Sequence, residues 1–255
     1  MVTALQIFFA LLLILLIILL VFRPRRIEGV AWPHNYRDIL MDYVRFYSKL
    51  NEEEKVIFED RFQKFLSAVQ INGAGAEVED LDRVLIGAAA IIPVYYIADW
   101  QYINLREVLV YPGNFNMDFE QQGPDRMISG MVGSGALQHV LIISKWELRQ
   151  GFINSSSNHN TAIHEFVHLI DKMDGTLDGV PELLLERKHI AVWKQLLQAT
   201  MEEIKRGASD INPYAATSPV ECFAVVSEYF FENPELLLAV HPQLHEMLQH
   251  IFIKS

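Results

Sequence analysis

Residues 163–170 constrain this chain more than any other stretch. They read Ile-His-Glu-Phe-Val-His-Leu-Ile, a strongly apolar run interrupted by His164, Glu165 and His168. Such a segment is too apolar for a surface and too polar for an ordinary core element. In a helix, residues four apart share a face, so His164 and His168 project side by side and both imidazoles reach one metal ion. Glu165 lies one step round. Ile163, Phe166, Val167, Leu169 and Ile170 pack such a helix into a core, Asn158 or Asn160 caps its start, and Gly175 ends it. Buried histidines are costly without partners, so the spacing predicts a buried metal-bearing helix rather than a surface helix with two coincidental histidines. A glutamate directly after the first histidine is the order used by metallopeptidases. There it is the general base, taking a proton from the attacking water while the ion polarises the scissile carbonyl.

A catalytic zinc ion takes three nitrogen or oxygen ligands from the protein and keeps a fourth position for water, so two histidines are one ligand short. Asp171, Asp174, Glu221 and Glu228 are the candidates for the third. Asp171 shares the face of the histidines but lies a turn further along the helix, where orienting an imidazole suits it better than ligation. Glu221 follows Ser218-Pro219 and opens the apolar helical run Glu-Cys-Phe-Ala-Val-Val-Ser-Glu-Tyr-Phe-Phe. A carboxylate on a second buried helix is what the site requires. Glu228 stands seven residues later on that face, as the other candidate ligand or as a partner behind it. Periodicity leaves both open, and a plain helix-surface salt bridge is the ordinary alternative for each.

The N-terminal region makes a different demand. Residues 7–22 are all apolar, and only Thr3 and Gln6 interrupt the run back to Met1. About 20 residues at roughly 1.5 Å each span the bilayer core as a helix. A cleaved signal peptide would show a positive residue before the run and a small-x-small site after it, and the sequence has neither. Arg23, Arg25 and Arg26 follow instead, which predicts a single-pass anchor in the inner or cytoplasmic membrane with the catalytic domain on the cytoplasmic side.

The expected organisation is an anchor with a basic flank over residues 1–26, a linker and juxtamembrane segment over 27–50, and a catalytic domain over 51–255. Gly29 and Pro33 mark the linker. A helix begins at Asn51, with Glu54 placed to complete a capping box. Residues 84–98 form a buried core segment, helical up to Pro93. Strands are expected at 107–111 and 139–144, and amphipathic helices over 182–205 and 220–232. Residues 113–136, rich in glycine and polar residues, read as a long loop, the kind of segment that covers a cleft. The fold class is therefore α+β, mostly helical with a small sheet, preceded by one transmembrane helix. Cys222 is the only cysteine, which excludes an intrachain disulfide and a cysteine cluster. A formal net charge of -11 argues against a nucleic-acid ligand.

Longer stretches carry a resemblance. His-Glu-Phe-Val-His-Leu-Ile-Asp with Asp174-Gly175 and Gly179-Val180-Pro181, then Tyr214-Ala215-Ala216-Thr217-Ser218-Pro219, Glu221-Cys222-Phe223-Ala224-Val225 and Ser227-Glu228-Tyr229-Phe230-Phe231, are similar to the Mlc titration factor A family of zinc-dependent peptidases. Val108-Leu109-Val110-Tyr111-Pro112 also resembles that family. The resemblance implies a zincin-like peptidase domain with a metal site of the lethal-factor type, holding one Zn2+ per chain. It implies His164, His168 and Glu221 as zinc ligands, Glu165 as the base, Glu228 as a non-ligand, and Tyr214 as a hydrogen-bond donor to the oxyanion. A peptide or protein substrate follows, lying extended beside an edge strand at residues 137–144. The family's best-known member is soluble and acts on a glucose-related transcriptional repressor, so the apolar N-terminus is a departure. A membrane-tethered protein that sequesters a regulatory protein partner such as a transcriptional regulator is the alternative, and a hydrolase of non-peptide amides is a third reading.

Overall fold

Asn51 opens a long helix with the expected capping box. Its side chain accepts the Glu54 N–H at 2.9 Å, and the Glu54 carboxylate accepts the Asn51 N–H at 2.9 Å. The computed structural model describes residues 33–123, 125–154 and 158–254, together with the single residue Gln6. Residues 7–22 and the arginines after them lie outside the described residues. Among the described residues no helix is long and apolar enough to cross a membrane.

Among residues 33–50, two helices precede Asn51, α1 (Tyr36–Tyr43) and α2 (Arg45–Ser48), in the segment expected from sequence to be linker and juxtamembrane chain. They are packed against the helix that Asn51 starts, α3 (Glu52–Ala68). Buried Glu59 of α3 accepts the Tyr47 hydroxyl at 2.6 Å, the Tyr36 hydroxyl at 3.0 Å and the Arg37 Nη2 at 2.6 Å. Burial raises the Glu59 carboxyl, but these three donors outweigh it and hold the group below its ordinary value.

Strand β1 (Gln70–Gly73) leads to α4 (Asp80–Ile91), buried along most of its length and continued by a 3-10 turn at Ile92–Val94, where Pro93 removes a backbone donor. Strands β2 (Glu107–Tyr111), β3 (Gly130–Val132) and β4 (Val140–Ser144) complete a four-stranded sheet in the order β1-β2-β4-β3. The first three strands in that order run parallel, and β3 pairs antiparallel with β4, placing Gly130 opposite Ile143 and Val132 opposite Leu141. Beyond the sheet lie α5 (Lys145–Ile153), α6 (Thr161–Asp171), α7 (Arg187–Lys205), α8 (Pro219–Glu232), α9 (Pro234–Val240) and α10 (Pro242–Phe252). The chain is α+β and mostly helical.

Two sequence expectations need correcting. Residues 137–144 do not form an edge strand, because β4 is hydrogen-bonded on both sides, to β2 and to β3. The edge on that side of the sheet is β3, and it arises from the stretch 113–136 that the sequence reads as a long loop. A three-residue strand is too short to show a period of two, and its pairing with β4 is decided by the non-local contact. A further bridge between Phe115 and Ile128 closes the base of that stretch.

Candidate metal site

Every residue of α6 is buried. Asn160 caps it, its side-chain oxygen accepting the Ile163 N–H at 3.2 Å, and Gly175 stands beyond its 3-10 extension with φ +98°, a left-handed conformation that glycine adopts without steric cost. Phe166 points the helix into the core, its ring edge-on to Phe65 at 5.6 Å and to Tyr102 at 5.2 Å. Opposite α6 lies α8. Ser218 caps it and Pro219 occupies its first turn, so Glu221 stands at the third helical position with its N–H bonded to the Ser218 hydroxyl at 3.2 Å.

These two helix starts bring three donor atoms together. His164 Nε2 lies 2.9 Å from Glu221 Oε2 and 3.0 Å from His168 Nε2, and His168 Nε2 lies 3.4 Å from the same Glu221 oxygen. Around a four-coordinate ion with bonds of about 2.0–2.1 Å, neighbouring ligand atoms stand about 3.3 Å apart. The observed triangle is close to that size, and its two imidazoles and one carboxylate are a donor set that zinc accepts. Of the four acidic candidates, Glu221 is the one brought to the Nε2 atoms of both histidines.

Glu228 has another place. Its Oε1 takes the rear nitrogen of His164, Nδ1, at 2.6 Å, and its Oε2 accepts the Asn160 N–H at 2.7 Å and meets His159 Nδ1 at 2.7 Å. Asp171 makes no hydrogen bond to an imidazole among the described residues: its Oδ2 accepts the Gly179 N–H at 2.8 Å, while its Oδ1 and the Nδ1 of His168 have no hydrogen-bond partner there. Asp174 caps the turn that follows, accepting the Thr176 N–H and hydroxyl.

Electrostatics follow from the same contacts. Burial lowers the His164 imidazole, but Glu228 and Glu221 outweigh it and lift the group to about 10. Burial opposes ionisation of Glu221, yet hydrogen bonds from His164 and His168 hold it far below the usual carboxylate range. Glu165 is pushed up by burial, and its Oε2 has no partner among the described residues. It packs against the first residue of the edge strand: a Cβ added to Gly130 would lie 2.6 Å from Cγ and from Oε1 of Glu165. Tyr214 is half-exposed in the 3-10 turn Pro213–Ala216, its ring centre 6.1 Å from that of His164, and burial followed by the charge of Glu221 raises its phenol. His159 and Gly130 are absent from the sequence expectations. His159 carries no periodic signal, and the close approach of Gly130 to Glu165 depends on β3.

Residues 20–253 match the family model described as glucose-regulated metallo-peptidase M90. The chain is 33% identical over 215 residues to Mlc titration factor A of Cronobacter sakazakii, covering 79% of this chain and 78% of that protein. It is 34% identical over 209 residues to Mlc titration factor A of Escherichia fergusonii, covering 76% of each. A buried helix pair that collects two histidines and a glutamate, a neighbouring buried carboxylate, and a match across nearly the whole sequence together place this chain in the glucose-regulated metallo-peptidase M90 family.

Proposed function

We propose that this protein is a membrane-anchored zinc metallopeptidase in which His164, His168 and Glu221 hold the ion and Glu165 is the general base. The observation that carries this reading is the pairing of a three-donor set of suitable size with a buried carboxylate whose Oε2 has no partner among the described residues. Zinc bound there would supply a Lewis acid for the scissile carbonyl and would make water a better nucleophile. A site serving structure alone has no use for a free base.

In the proposed reaction a peptide strand pairs with the outer side of β3, which no other strand among the described residues covers, and the backbone groups there fix the substrate main chain. Glu165 takes a proton on Oε2 from the water whose oxygen attacks the carbonyl carbon. It returns that proton to the amine nitrogen as the C–N bond breaks. Burial, which raises Glu165, makes it competent to hold a proton between the two steps. The Tyr214 phenol, beside Glu221, donates to the oxyanion.

The unbroken apolar run at residues 7–22 and the arginines at 23, 25 and 26 support an anchor with the catalytic domain on the cytoplasmic face. The name of the relatives supports a second reading, a tethered protein that titrates a regulator. Peptide-library hydrolysis by the purified protein, with and without chelator, separates the two. Glu165→Gln should keep bound zinc and lose at least about 100-fold in rate. Wild-type hydrolysis by that variant would sink the enzymatic reading. Resistance of the C-terminus to protease in intact spheroplasts checks the orientation.

A further inference from the structure

A single buried carboxylate on α8 joins the rear of a site histidine to the chain entering the site helix. Glu228 lies two turns after Glu221, and its two oxygens are divided. Oε1 takes His164 Nδ1 at 2.6 Å; Oε2 takes the Asn160 N–H at 2.7 Å and His159 Nδ1 at 2.7 Å. Asn160 is itself held three times more, donating to Glu232 Oε1 at 2.9 Å and to the Gly151 carbonyl at 3.4 Å and capping α6 through Ile163. We propose that Glu228 is a positioning residue that fixes His164 with its Nε2 lone pair facing Glu221 and His168, and that His159 acts through Glu228 by holding its second oxygen. The inference rests on the reading of His164 as a metal ligand.

The chemistry is that of tautomers. A neutral imidazole carries one ring proton, and the nitrogen without it is the ligand. When Nδ1 donates its proton to Glu228, the lone pair falls on Nε2, the atom standing 2.9 Å from Glu221 Oε2. The same bond holds the ring plane and makes the imidazole a stronger base. Without it, the histidine divides its time between tautomers and ring orientations, and only a fraction is ready for the ion. His159 enters one step back. A carboxylate with both oxygens bonded cannot rotate about its terminal torsion, so the grip on Oε2 aims Oε1. Because the Asn160 N–H also holds Oε2, removing His159 loosens Glu228 without freeing it.

Competition for zinc between the full-length protein and a chromophoric chelator reads this directly, without reference to catalysis. Glu228→Gln preserves shape and removes the charge, and it should bind zinc about 10- to 100-fold more weakly. His159→Gln should weaken binding by about 3- to 10-fold, less than the loss of an oriented carboxylate partner. The double variant should bind no more weakly than Glu228→Gln alone, since His159 is proposed to act only through Glu228. Wild-type affinity in folded Glu228→Gln protein would overturn the proposal, and so would additive losses in the double variant. Melting of the metal-free proteins is the control: a purely structural Glu228 would lower the melting temperature while leaving zinc affinity untouched. Should Glu228→Gln not fold, the half-exposed His159 decides alone, and unchanged zinc affinity in His159→Gln defeats the inference. Failure of the underlying reading looks different. His164→Ala would then bind zinc as tightly as wild type, whereas lost binding in His164→Ala with none lost in Glu228→Gln sinks only the positioning.

Discussion

Replacing Gly130 by alanine introduces one methyl group 2.6 Å from both Cγ and Oε1 of Glu165, where ordinary contact begins at 3.4 Å. Something must give by about 0.8 Å, close to the 1 Å misplacement that costs on the order of 100-fold in rate. Gly130 has an ordinary φ, so alanine brings no backbone strain, and its pairing with Ile143 ties β3 to the interior strand β4. The Glu165 side chain is the more yielding partner, since its Oε2 has no partner to hold it among the described residues. A shift of that size should lower kcat by about 100-fold, equivalent to about 2.7 kcal/mol of barrier. The metal should stay, because the clash falls on the terminal atoms of the Glu165 side chain, while the backbone of α6 and α8 that carries His164, His168 and Glu221 keeps its place. Steady-state hydrolysis of a fluorogenic peptide identified from a library, paired with zinc analysis of the same preparation, measures both quantities. A kcat within twofold of wild type would refute the idea that β3 sets the position of Glu165. Loss of zinc alongside activity would refute the claim that the Glu165 side chain alone yields to the added methyl group.

Other consequences follow from the same contacts. Zinc at 100 times its Kd should stabilise the protein by about 2.7 kcal/mol, so chelation should lower the melting temperature in a zinc-reversible way. Zinc affinity should fall with decreasing pH as protons compete with the ion for His164, visible as proton release on titrating the metal-free protein with zinc. Glu59, whose folded value is depressed, contributes stability that is present above its unfolded value near 4.5 and is lost as pH falls through the folded value. Glu59→Gln should therefore flatten the acid limb of a denaturation-versus-pH curve. At neutral pH, Glu59→Ala should cost about 1–3 kcal/mol by leaving the buried Tyr47 hydroxyl unbonded. Phe223, fully buried between Trp193 and Phe252, should cost about 3–5 kcal/mol when cut to alanine, read as a shifted urea midpoint.

Much of this protein is legible along the chain because the determining interactions are local. The Asn51–Glu54 box, the Asn160 cap, the stop at Gly175 and the Ser218-Pro219 start of α8 each involve residues within a few positions, so spacing and residue type suffice. The pairing of His164 with His168 is likewise a property of one helix. Which carboxylate joins them is not. Glu221 and Glu228 share a face of α8, and the choice between them depends on how α8 lies against α6, which no periodicity encodes. The crossing brings Glu221 to the Nε2 atoms and Glu228 to the opposite ring nitrogen of His164. The same holds for the sheet: β4 reads as a strand by itself, but its interior position depends on β3, a three-residue strand recognisable only by its partner. Sequence alone thus determined the helix that pairs His164 with His168, because an i, i+4 pair is set by helix geometry. Tertiary structure decided the company around it, the third donor, the carboxylate behind His164 and the glycine against Glu165, because those contacts join residues 35 to 64 positions apart that meet only when separate elements pack.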